Sequence, residues 1–102
     1  MKRILALSAL LMATPAHAES VDGNSLHGWC NASASELACT AYILGVIDQS
    51  NLETPERATA GQVRDVVKKH LRDHPEHRNM PGQLLVSLAI LDAWPALNKP
   101  KK

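Results

Sequence analysis

Trp29-Cys30, eight residues, then Cys39-Thr40-Ala41-Tyr42-Ile43-Leu44-Gly45-Val46-Ile47-Asp48 is the stretch whose reading decides the fold. Between the cysteines, Ser33-Ala34-Ser35-Glu36 matches a capping box. The Ser33 hydroxyl can accept the Glu36 amide proton while the Glu36 side chain reaches back. The spacing therefore predicts a helix from about Ala34 to Ser50. From Leu37 to Ile47 only Thr40 is plainly polar, so this helix is apolar nearly all round and is expected to form the buried centre. Gly45 within it costs about 1 kcal/mol against alanine. Close approach of another helix would explain that glycine; a tolerated defect is the alternative.

Other helices surround this one. Asp22-Gly23-Asn24 is a turn signal ahead of a short first helix, about Asn24 to Cys30. Thr59-Ala60-Gly61-Gln62 is a second capping box, and the helix after it runs to about Asp73. Val63, Val66, Val67, His70 and Leu71 fall on one stripe at helical spacing, with Arg64, Asp65, Lys68, Lys69 and Arg72 on the other face. Pro75 ends that helix at or just before His74. Pro81 opens a fourth helix, whose apolar set includes Leu84, Leu85, Leu88, Leu91 and Trp94, and Pro95 stops it. Nothing alternates as a strand would. The expected fold is all-α, a small bundle of about four helices.

Residues 1–18 read as a cleavable signal peptide. Lys2 and Arg3 supply the positive start, Ile4 to Ala13 the apolar core, and Ala16-His17-Ala18 the small-residue cleavage motif. The apolar run is too short to span a bilayer, so no membrane association is expected after cleavage. What remains is one domain over residues 19–97 and a basic tail over 98–102 with no reason to order. Without Lys2 and Arg3, the basic side chains no longer outnumber the acidic ones, against a whole-chain net charge of +1. Such a balance leaves no electrostatic footprint for nucleic acid. Export also bears on Cys30 and Cys39, since an oxidising compartment favours one disulfide between them; two free buried thiols are the alternative.

Little in the chain suggests catalysis. A Cys30–Cys39 bond removes any cysteine nucleophile, and Glu36 and Asp48 are too far apart on one helix to cooperate as a carboxylate pair. There is no glycine-rich phosphate loop, GxSxG or HExxH. Asp48 reads as a solvated or turn-capping carboxylate. His70, His74 and His77 form an HxxxH-PE-H pattern, and an i, i+4 histidine pair can make half a zinc or nickel site. Against that, His70 sits on the apolar stripe, as a satisfied core histidine would, and Pro75 separates His77 from the regular helix. No metal and no cofactor are therefore expected. A pH-sensing role is chemically open to these histidines.

From Gly23 to Pro95 the chain resembles the Rap/Tai family of immunity proteins that neutralise type VI secretion amidases. The pieces that carry the resemblance are Gly23-Asn24, Trp29-Cys30, Cys39 with Tyr42-Ile43 and Gly45-Val46-x-Asp48, Thr59-x-Gly61-Gln62-Val63, His74-Pro75-Glu76 and Ala93-Trp94-Pro95. The resemblance implies a periplasmic, non-enzymatic, all-helical protein, commonly a homodimer, that binds a papain-like peptidoglycan amidase and occludes its active site. Family members usually carry a second cysteine pair where this chain has Glu53 and Ala96. Their joint absence implies that the missing two pair with each other and that Cys30 pairs with Cys39. It also marks this chain as a divergent member. The alternatives are a small periplasmic acid-stress chaperone of the HdeA-like kind, which the short cysteine interval disfavours, and an orphan periplasmic binding module.

Overall fold

The computed structural model describes residues 21–99; the expected signal peptide and residues 100–102 of the expected tail lie outside them. Four helices follow in order: α1 (Gly23–Cys30), α2 (Glu36–Ser50), α3 (Ala60–Asp73) and α4 (Gly82–Ala93), with short 3-10 turns at Ser33–Ser35, Pro75–His77 and Pro95–Asn98. No strand occurs among the described residues. The all-α expectation holds, with each helix boundary within a few residues of its sequence signal.

Each terminus has a local cause. Asp22 caps α1, its carboxylate accepting the Ser25 amide at 2.9 Å. That bond holds the Asp22 carboxyl below the usual carboxylate range. At α3, Thr59 Oγ1 accepts the Gln62 amide at 3.0 Å, which is half of the expected capping box. α2 ends on Asn51, at φ 56°, a left-handed position that asparagine tolerates, and the Leu52 amide donates to the Ile47 carbonyl at 3.1 Å. The last carbonyls of α3 are capped from outside the helix, because Arg78 Nε donates to the Leu71 carbonyl at 2.7 Å.

The capping box expected at Ser33 does not form. The chain turns through Ser33–Ser35 with no side-chain cap, and the Glu36 carboxylate instead meets Arg64 of α3 at 2.9 Å. A tertiary ion pair has taken the group that the local rule assigned to the backbone.

The core is aliphatic: Leu26 from α1, Ile43 and Val46 from α2, Val63, Val67 and Leu71 from α3, and Leu85, Val86, Ala89 and Ile90 from α4, with the two cysteine sulfurs among them. The α3 stripe is therefore as read. Two expectations change. α2 is not buried all round: it turns Cys39, Ile43 and Val46 inward and leaves Leu37 80% exposed and Leu44 41% exposed. On α4, Leu84 and Leu91 lie outward while Val86, Ala89 and Ile90 fill the core. Both helices are apolar on two faces, and composition alone cannot say which face has a partner inside the chain.

Two close approaches tie the beginning of the domain to the start of α4. The Gly23 amide donates to the Met80 carbonyl at 2.9 Å and the Gly82 amide to the Val21 carbonyl at 2.7 Å. A Cβ on Gly23 would meet the Leu85 methyl and lie 2.7 Å from the Arg78 carbonyl oxygen, and one on Gly82 would lie 3.0 Å from the Val21 oxygen. Gly45 is different: a Cβ there meets nothing within 4 Å, so no helix among the described residues approaches it.

Candidate functional site

Cys30 and Cys39 are bonded, with their Cα atoms 5.0 Å apart, and neither is a free thiol. The bond joins the last residue of α1 to the first turn of α2 across a sharp bend; the two helical segments meet at 107°. Trp29 packs edge-on against Tyr42, with ring centroids 6.1 Å apart, so the aromatic pair and the disulfide brace the same corner. Ser35 adds a hydroxyl donated to the Trp29 carbonyl at 3.4 Å.

Beyond this corner, α2 offers an outer face of Leu37, Ala38, Ala41, Leu44 and Gly45, all exposed. Residues 37, 41, 44 and 45 recur at helical spacing, so they form one continuous stripe. Its side chains are small or aliphatic, and Asp48 continues it into solvent. Such a stripe allows a second protein surface to approach the backbone closely. Glu36 and Asp48, which sequence reasoning had already declined as a carboxylate pair, are about 18 Å apart along the helix, and Glu36 is committed to Arg64.

The histidines occupy a separate place. His70 lies in the last turns of α3, His74 ends that helix, and the 3-10 turn opened by Pro75 carries Glu76 and His77. Pro75 separates His77 from the regular helix, as expected, and the 3-10 turn it starts returns His77 to the other two. Ring centroids are 4.4 Å apart for His70 and His74, 4.9 Å for His74 and His77, and 5.6 Å for His70 and His77. With Leu88, Leu91 and Asp92 of α4, the three rings line an open groove of about 360 Å³.

His70 is not the satisfied core histidine expected from its place on the stripe. It is half-buried, and its buried Nε2 has no hydrogen-bond partner among the described residues. The buried Nδ1 of His77 is likewise unpartnered. Burial pushes the His70 imidazole below its ordinary range, and the neighbouring His74 and His77 push it the same way. Glu76, held low chiefly by its own backbone amide and then by His74, lies 3.2 Å from His74 Nδ1 and 3.7 Å from His77 Nε2.

At the far end, Asn98 makes a two-point clasp on the loop between α2 and α3. Its Oδ1 accepts the Glu53 amide at 2.9 Å, and its Nδ2 donates to the Glu53 carbonyl at 3.0 Å. Asn98, placed at the head of the expected basic tail, is thus tied to the body. The sequence carried no signal for this contact beyond an asparagine after a proline turn.

In class, the described residues form a small all-α domain braced by one disulfide, with an open apolar stripe on α2. Comparison makes the class specific: the family model of Rap1a immunity proteins matches residues 22–96, and the chain belongs to that family. No curated relative and no solved structure matches the chain. The matched segment opens at Asp22, the α1 cap, and closes within the Pro95–Asn98 turn. It therefore coincides with the folded body.

Proposed function

We propose that the mature protein is a periplasmic immunity protein that binds and inhibits a peptidoglycan amidase delivered by a type VI secretion system, with no chemistry of its own. The observation that carries this reading is the family match over residues 22–96, since proteins of that family act on a partner effector. The signal-peptide pattern of residues 1–18 supports the compartment, which is where a peptidoglycan amidase finds its substrate. Both cysteines are spent in a disulfide, in keeping with a role that needs an interface rather than a nucleophile.

The same reading makes the protein a homodimer, with the outer stripe of α2 as the contact between copies. Leu37, Ala41, Leu44 and Gly45 are apolar and exposed, and a small domain has little reason to leave such a stripe in water.

The test is to express a candidate type VI peptidoglycan amidase in the periplasm with and without this protein. Immunity predicts rescue of growth and stoichiometric inhibition of peptidoglycan cleavage in vitro. Failure to rescue, together with suppression of acid-induced aggregation of unrelated proteins, would shift the reading to the chaperone.

A further inference from the structure

The histidine groove plays no part in the reading above, and it holds more unused coordination chemistry than any other part of the described chain. Three side chains, His74, Glu76 and His77, each bring a donor atom within 4.8 Å of the other two. Two edges of that triangle are 3.2 Å and 3.7 Å. Zinc bound at about 2.0–2.2 Å in a tetrahedral site requires donors about 3.3–3.6 Å apart, so two edges already bracket the required value. The third edge, no longer than 4.8 Å, is the one that must shorten on binding.

The turn itself sets this geometry. Pro75 fixes the backbone dihedral at the start of the 3-10 turn, and the His77 amide donates to the His74 carbonyl at 2.9 Å. Residues 74 and 77 then eclipse each other, as i and i+3 do in a 3-10 helix. The two imidazoles accordingly stack with planes 7° apart, and the Glu76 carboxylate reaches both. Two further observations point to a ligand. His70 Nε2, beside the triangle, is buried with no partner among the described residues, although buried polar atoms are nearly always satisfied. Asp92, on α4, lines the same groove and adds a negative charge beside three imidazoles.

We propose that His74, Glu76 and His77 form a binding site for a divalent late transition metal, zinc being the ion tested, with His70 the adjacent imidazole and Asp92 across the groove. Imidazole and carboxylate donors together suit zinc and its neighbours rather than calcium or magnesium, which take oxygen ligands. Three protein donors leave one position open in a tetrahedral site, to be filled by water, by His70, or by a group on a partner protein. Bound there, the ion would fasten the Pro75–His77 turn to the end of α3. The proposal does not depend on which effector the protein binds.

The experiment uses the mature chain without a histidine tag, freed of metal by chelation and titrated with zinc chloride in a calorimeter, with thermal unfolding followed in parallel. One zinc per chain is expected, with a melting temperature that rises with zinc concentration. His74→Ala and His77→Ala should each weaken binding by more than the 10- to 100-fold, roughly, that follows loss of an outer-shell partner. Glu76→Gln should weaken it in the same direction, and His27→Ala, in α1, should leave it unchanged. Circular dichroism of each variant, expected to match the parent, separates loss of a ligand from loss of the fold. No saturable binding at one zinc per chain overturns the proposal; so does binding that His74→Ala and His77→Ala leave intact.

Discussion

Removing the link between Cys30 and Cys39 tests how this small domain stays folded. The two cysteines are nine positions apart in sequence, and the chain-entropy relation for the loop of about ten residues that they close gives about 2.7 kcal/mol. Both residues are buried, at 3% and 0% exposure, so serine would bury an unpaired hydroxyl and alanine is the cleaner replacement. The C30A/C39A variant also loses two sulfurs from the core, which adds a cavity cost. Chemical reduction of the wild type keeps their volume and isolates the cross-link. Reduction should lower stability by about 2–3 kcal/mol, or roughly 10–20 °C in Tm for a domain of this length, and the alanine variant should fall further. Urea unfolding followed by helix dichroism measures both. The slope should increase on reduction, because the uncrosslinked unfolded chain exposes more surface. A reduced wild type within about 0.5 kcal/mol of the oxidised protein would refute the reasoning, and would mean that Trp29, Tyr42 and the 3-10 turn hold the corner without the covalent bond.

Leu44→Asp, on the exposed stripe of α2, should convert a dimer to a monomer in sedimentation at micromolar concentration while leaving Tm nearly unchanged; an unaltered dimer would remove this stripe from the contact. Leu71→Ala should destabilise by about 2–5 kcal/mol, since Leu71 is fully buried, and urea midpoints at constant slope would show it. Thr59→Ala, which removes the α3 cap, should cost about 1 kcal/mol by the same assay. The pH dependence follows from His70, whose proton affinity is lowered in the folded state by burial and by its two histidine neighbours. The unfolded chain takes up that proton more readily, so His70 favours folding above pH about 6.5 and stability declines as pH falls below it. In metal-free protein the urea midpoint should therefore be lower at pH 5 than at pH 7.5, and His70→Gln should flatten that difference.

The parts of the fold legible in the sequence are those governed by one dominant local signal. α3 was readable because Val63, Val67 and Leu71 alternate with charges on the other face, so one stripe had only one place to go. α2 was misjudged because Leu37, Ala38, Ala41 and Leu44 are as apolar as Ile43 and Val46. Periodicity does not separate a face buried within the chain from one left open to a second molecule. The failed capping box at Ser33 is a loss of local preference to tertiary charge: Arg64, 28 positions downstream, takes the Glu36 carboxylate. Spacing flagged the histidine cluster and Pro75 marked where His77 leaves the regular helix, but the convergence of the three rings depends on the 3-10 turn that follows, which spacing alone does not specify. The role of Gly82 was invisible, because only the folded chain brings the Val21 carbonyl against it.

The Asn98 clasp has a consequence for maturation. By binding both backbone groups of Glu53, one amide side chain closes a ring that contains all of α3 and α4 without any covalent bond. The disulfide closes only the α1–α2 corner. The longer of the two closures thus involves no oxidation, and an amide clasp forms and opens at any redox poise. Of the two closures, reductant therefore acts on the α1–α2 corner alone and leaves the Glu53–Asn98 contact chemically untouched.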